Sequence, residues 1–190
     1  MRFRLHLPKF AKRNDGSQLV EFAVALPLLV VFVVGIFDFG QAFNIKLKLN
    51  GATREGARLG ATLPTSDLTT IGVTPPSVDA VRSVVDSYIK AANLNDCGLF
   101  AQNGTLTSTL TWTYATSGGG CAAPLTLVVN RAFAFKTAVN GIDADIICTQ
   151  VTLSYPFQWH FNSVIQLLVP GASYAGTTLI LTDAISPNMD

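Results

Sequence analysis

The chain has 190 residues, 49% of them hydrophobic and only 13% charged, with a net charge of +1. That is enough apolar material for one domain with a proper core, and a surplus that excludes an ordinary, wholly soluble composition. The near-neutral total hides an asymmetry: residues 1–16 carry Arg2, Arg4, Lys9, Lys12 and Arg13 against Asp15 alone, a side-chain charge of +4, which leaves −3 for the remainder.

The apolar surplus follows that basic tail. Residues 22–37 are uncharged and as a helix rise about 24 Å; residues 17–39 reach roughly 35 Å, enough to cross a bilayer. No later stretch is long enough. Glu21 sits just inside the N-terminal edge of the span. An Asp or Lys at mid-bilayer costs roughly 2.5–3.5 kcal/mol, and less near the interface, so an intramembrane Glu calls for a partner or a role. The basic tail predicts a cytoplasmic N-terminus by the positive-inside rule, although Lys46, Lys48, Arg54 and Arg58 follow on the other side.

Pro27 removes one backbone hydrogen bond from the span and is read either as a plain kink or as an assembly feature. Residues 41–61 contain no proline, and Phe43, Leu47 and Asn50 with Ile45, Leu49 and Ala52 recur at helical spacing. The pattern predicts one helix from about residue 17 to residue 62, near 68 Å long, stopped by Leu63 and Pro64. Gly51, Gly56 and Gly60 give it a smooth surface, suited to close packing against another helix or simply tolerated.

Residues 64–76 read as a linker. Val78, Val81, Val85 and Tyr88, with Val84 and Ile89, then predict an amphipathic helix to about Ala92, opposite Asp79, Arg82, Asp86 and Lys90, that needs a sheet to lie on. Residues 105–114, 125–135 and 151–161 alternate as half-buried antiparallel strands, and residues 174–185 supply a last one. Residues 117–120, Asn140 with Gly141, and Pro170 with Gly171 mark turns. Pro156 places its strand at an edge or at its end. Residues 164–169 fit either a short helix or a strand.

Cys97, Cys121 and Cys148 all follow the span. One disulfide with one spare thiol is the natural count outside the cytoplasm; three pairings are open, and three reduced cysteines remain the alternative. Cys97 with Cys121 is preferred, because both flank turn-rich sequence and would staple residues 102–120. There is no C-x-x-C, H-E-x-x-H or phosphate-cradling glycine loop, and Gly171 to Gly176 misses the G-x-S-x-G spacing. No catalytic, cofactor or metal residues are assigned. His160, among Phe157, Trp159 and Phe161, reads as a surface residue. Tyr155, Phe157, Trp159 and Phe161 lack interleaved cations, which speaks for sheet core and against nucleic acid. The Asn103 sequon carries no weight outside a eukaryotic secretory context.

The N-terminal third resembles the TadE-like family of bacterial pseudopilins, accessory proteins of the tight-adherence (Tad) secretion and type IVb pilus system. The residues that carry the resemblance are Gly16 and Ser17; Val20, Glu21, Phe22 and Ala23; Leu26 and Pro27; Gly35; Asp38, Phe39 and Gly40; and above all Ala52, Thr53, Arg54, Glu55, Gly56, Ala57 and Arg58. The family often has Glu near the position of Asp38, and the absence of a von Willebrand type A domain separates this chain from the longer TadG relatives. The resemblance implies a prepilin-like signal, cut by an aspartic prepilin peptidase on the cytoplasmic side after Gly16. Ser17 would become the new N-terminus, with Glu21 and Phe22 guiding assembly.

The expectation is therefore a non-enzymatic α+β protein of pilin-like build. A basic leader (1–16) precedes a long helix (17–62, transmembrane about 19–39), a linker (63–76) and a periplasmic domain (77–190) with a helix on an antiparallel sheet. Implied partners are the prepilin peptidase, other pilins and pseudopilins, the inner-membrane assembly platform and membrane lipid. A signal-anchored envelope domain that is never cut is the main alternative; an anchored hydrolase lacks a catalytic constellation.

Overall fold

The computed structural model describes residues 15–69, 73–139, 142–168, 171 and 176–189. Helix α1 (Asp15–Thr62) is 48 residues long and stays helical through Pro27, rising about 72 Å at 1.5 Å per residue. It ends where Pro64 bars another turn. There the Leu63 N–H bonds Gly60 O at 3.3 Å, and Arg131 Nη2 donates to Leu63 O at 2.9 Å.

A 3-10 turn, Ser66–Thr69, carries Asp67, whose carboxylate accepts from the Ser77 N–H at 2.8 Å and from Ser77 Oγ at 3.0 Å. That fixes the start of α2 (Pro76–Ala91), which has proline at the first turn, where a missing N–H costs nothing. Val78, Val81, Val85 and Ile89 are buried, at the spacing the sequence predicts. The expected polar face is corrected. Arg82 and Asp86 are buried, while Tyr88 is 45% exposed. Each buried charge brings a partner: Arg82 pairs with Asp79 at 2.7 Å and donates to Phe100 O at 2.8 Å, and Asp86 pairs with Lys90 at 2.8 Å. Burial still pushes the Asp86 carboxyl above its usual range, against the pull of Lys90.

Five strands follow: β1 (Thr105–Ser108), β2 (Thr111–Ala115), β3 (Thr126–Val139), β4 (Ile142–Gln158) and β5 (Thr177–Pro187). They form one antiparallel sheet in sequential order, with helix α3 (Phe161–Leu168) between β4 and β5. Residues 105–114, read as a single strand, are a hairpin instead. Leu110 takes φ 49° at its turn, and the reversal leaves the apolar parity intact, so alternation alone could not reveal it. Residues 164–168 belong to a helix. The expected turn at Asn140 and Gly141 lies outside the described residues.

Register organises the core. Trp112, Val129, Val151 and Ala184 form one cross-strand row and Tyr114, Leu127, Leu153 and Thr182 the next, all on the inner face. The interior that they build is shared by Leu49 and Ala52 of α1 and by the valines of α2. It is α1 that lies along β4 and β5, with α2 packed mainly on α1. Pro156 pairs with Leu179 beyond Ser154, the last β4 residue paired with β3 in that direction; only β5 flanks it there. Past Asn130 and Cys148, β3 and β4 run on as a two-stranded arm with exposed Phe135, Ile146 and Ile147.

Cys97 and Cys121 are joined, with Cα atoms 5.4 Å apart, across 24 residues of sequence, while Cys148 is free and buried, and burial pushes its thiol up. Thiol counting should follow. Native protein alkylates slowly, denaturation without reductant exposes Cys148 alone, and reduction then exposes all three cysteines. Losing the crosslink should cost roughly 3 kcal/mol of stability, read by chemical denaturation with and without reductant. A rapidly labelled native thiol would contradict the assignment.

Candidate functional site

The candidate site is α1 itself, whose two halves meet different surroundings. In the apolar half nothing of the most hydropathic 18-residue window is buried within the chain. Leu19, Val20, Phe22, Val24, Ile36 and Phe37 are all exposed. A shallow groove on this half is lined by Ser17, Val20, Glu21, Val24, Ala25 and Leu28, positions three and four apart that share one helix face. Glu21 is exposed there, with no ion pair or hydrogen bond to its side chain among the described residues. Phe22 is 62% exposed beside it. Gly16 is helical with open space around it, and residues 1–14 lie outside the described residues.

Above the span the helix is two-sided. Ile45, Leu49 and Ala52 are buried, but Phe43 and Leu47, which the periodicity grouped with them, are 67% and 72% exposed. The motif from Ala52 to Arg58 divides in the same way. Ala52, Thr53, Gly56 and Ala57 face the interior; Arg54 and Arg58 face out, with Glu55 between. A Cβ added to Gly56 would lie 2.7 Å from Val85 Cγ2 and 3.6 Å from Val151 Cγ1. At Gly60 it would lie 2.7 Å from Thr149 Cγ2 and 3.2 Å from both Val81 Cγ2 and Arg131 Nη1. These glycines therefore serve packing within the chain. Outside, Arg58 grips Glu55 with two hydrogen bonds, of 2.6 and 3.1 Å, which lowers the Glu55 carboxyl. The pair is solvent-exposed, so it adds little stability; it orients Arg58 and relieves its like-charge encounter with Arg54.

The halves join at Asp38. Its side chain is buried, accepting the Phe161 N–H at 2.6 Å and lying 3.3 Å from His160 Nδ1. Asp38 thus caps α3 from a distant helix. Trp159 packs edge-on against Phe39, ring centroids 5.2 Å apart, and against Phe157 at 4.8 Å, while its Nε1 donates to Thr178 Oγ1 at 2.7 Å. Of the aromatic set read as sheet core, Tyr155 and Phe157 are buried; Trp159 and Phe161 lie past the end of β4 and build this junction instead.

Two contributors escaped sequence reading. Arg131 is 1% exposed and holds the end of α1 through Leu63 O; its parity with Leu127 and Val129 was the available signal. Asn188 ties the C-terminal segment in, accepting from Thr149 Oγ1 at 2.7 Å and donating to Arg131 O at 3.3 Å. Among the described residues no cluster of His, Cys, Asp and Glu could hold a metal. A cleft beside Asp79, Arg82 and Phe100 offers an arginine already engaged on both sides.

A long uncovered apolar helix ahead of a small α+β domain is the build of a single-pass membrane anchor carrying its domain on one side. The stretch holding Glu21, Asp38 and the divided motif, residues 16–58, matches the model of the TadE-like protein family. That family points to a component associated with the Tad pilus. No curated protein and no solved structure matches the chain.

The motif geometry predicts opposite responses at two glycines of one helix. Gly60→Ala, hemmed in from three sides, should lose about 1–3 kcal/mol. Gly40→Ala, with nothing within 4 Å of the new Cβ, should be neutral or gain up to about 1 kcal/mol. Thermal unfolding of the full chain in detergent reads both, and equal effects would contradict the packing role.

Proposed function

We propose that this chain is a TadE-like pseudopilin, an accessory or minor structural component of the Tad, type IVb pilus, secretion and assembly system. It is made with a basic leader over residues 1–16 and cut by a prepilin peptidase between Gly16 and Ser17. The remaining span holds it in the bacterial inner membrane, N-terminus cytoplasmic and domain periplasmic, with residues 63–76 as the connection. The single observation that supports this most is the family match, which runs from the cleavage glycine through the uncovered Glu21 groove to the motif at Arg58.

The chemistry is coherent with assembly. Cleavage ahead of the span keeps the anchor and creates an α-amine on Ser17, with an ordinary pKa near 7.7–8.0 and hence a positive charge at neutral pH. Ser17 and Glu21 line the same groove, so one helix face offers both an ammonium and a carboxylate. In the low dielectric of a helix bundle such charges need one another, and a neighbouring pilin or pseudopilin supplies the complementary pair. Phe22 lies beside that face as a second assembly contact and Pro27 is the place for a kink; Arg54 and Arg58 present outward cations to the assembly platform or a neighbouring subunit. The role is structural, in keeping with a pilus structural and accessory family.

Glu21 variants test the proposal. Breaking a charge pair inside a low-dielectric bundle costs roughly 3–5 kcal/mol, so Glu21→Ala should lower crosslinking to co-expressed pilus components by more than about tenfold while Glu21→Asp retains much of it. Unchanged crosslinking of Glu21→Ala would overturn the assembly role.

A further inference from the structure

The junction around Asp38 does more than join two parts. Residues 22–37 are uncharged and rise only about 24 Å, whereas a bilayer's hydrocarbon core is about 30 Å thick. The uncharged stretch alone is therefore short by roughly one helical turn and the anchor draws on residues 17–21 to cross, so the charge at its outer end, Asp38, falls at the hydrocarbon boundary. Asp38 is nevertheless only 4% exposed, because α3 and its approach fold down over it.

How far down is set by contacts. The Phe161 ring reaches Gly35, whose added Cβ would lie 3.6 Å from Phe161 Cε2. Gly35 is inside the uncharged stretch, about 6 Å below Phe39 along the helix axis. Trp159 meets Phe39, the last residue of the longer span. Along α3, Phe161, Val164 and Ile165 recur at helical spacing and are partly buried, while Ser163 and Gln166 are exposed. The membrane-facing end of the domain thus presents a partly buried indole and a short amphipathic helix at the depth of the outer interface, where such groups partition.

We infer that α3 and Trp159 form an interfacial collar embedded in the outer leaflet at the headgroup–acyl boundary, shielding Asp38 from lipid. The partner is the lipid surface itself, continuous with the bilayer around α1. A domain seated in this way stands at a fixed height and cannot swing about the membrane exit. The inference rests on α1 being a membrane anchor, but not on cleavage or pilus assembly.

The test uses the full chain in phosphatidylcholine vesicles carrying spin-labelled lipid. The chain has two tryptophans, so Trp112→Phe leaves Trp159 as sole emitter and Trp159→Phe leaves the buried Trp112. The Trp159 emission should be blue-shifted and quenched more by labels at the headgroup or upper acyl chain than by labels at the chain terminus, with little quenching by aqueous iodide; Trp112 should respond to none of them. Trp159 quenched by iodide and untouched by lipid labels, in protein that floats with the vesicles, would overturn the collar while leaving the anchor intact. Protein that fails to float would overturn both. If Trp112→Phe misfolds, a nitroxide on Ile165→Cys, on the apolar side of α3, reads the same depth from its relative accessibility to oxygen and to a water-soluble nickel chelate, and full aqueous accessibility would be the contrary result.

Discussion

How closely α1 approaches the sheet at Gly56 and Gly60 decides everything beyond the membrane. With β-carbons there, Val85 and Thr149 would have to retreat, α2 would lose its seat and the inner face of the sheet its cover. The distances along the two elements agree. From Gly60 to Phe39 the helix rises about 32 Å, and from Thr149 to Trp159 an extended strand covers about 33 Å. The contacts Gly60 with Thr149 and Phe39 with Trp159 therefore mark two ends of one antiparallel alignment of α1 and β4. Arg131 and Asn188 lock the far end, Asp38 the near one.

That alignment gives one helix two solvents. Its outer half is a structural beam within the domain, where small residues face inward and Arg54 and Arg58 face outward. Below the α3 contacts at Gly35 and Asp38 its inner half has no buried residue in its most hydropathic stretch, and Glu21 remains exposed within a face otherwise lined mainly by apolar residues. Burial of a carboxylate against lipid alone is costly; an ammonium from a neighbouring subunit offsets much of that cost where the geometry is good. The packed half and the uncovered half belong to one continuous helix, so the seat of α1 in the domain sets which way the Glu21 face points relative to it.

Much of the scaffold was legible because it rests on periodicity. The extent of α1, the valine stripe of α2 and the parity of the main strands follow from apolar spacing, and Pro64 gives the stop. What spacing could not supply was partnership. Phe43 and Leu47 share a helical period with Ile45 and Leu49, but which pair turns inward depends on the sheet. Arg82 and Asp86 looked like a solvated face, and only their local partners Asp79 and Lys90 make their burial tolerable. Leu110 hid a turn because the reversal preserved parity. Within the candidate site, Glu21 and the motif were visible as charges and glycines in unusual company, whereas the capping role of Asp38 depends on Phe161, more than a hundred residues away.

The most direct test is the N-terminal residue of the protein isolated from membranes of a host with its cognate prepilin peptidase, read by intact mass and terminal peptide sequencing. The account predicts a chain that begins at Ser17 and stays membrane-bound. An uncut chain in the presence of active peptidase would contradict it and leave an ordinary signal anchor; a terminus beyond Gln41 would mean a released domain and contradict it more completely.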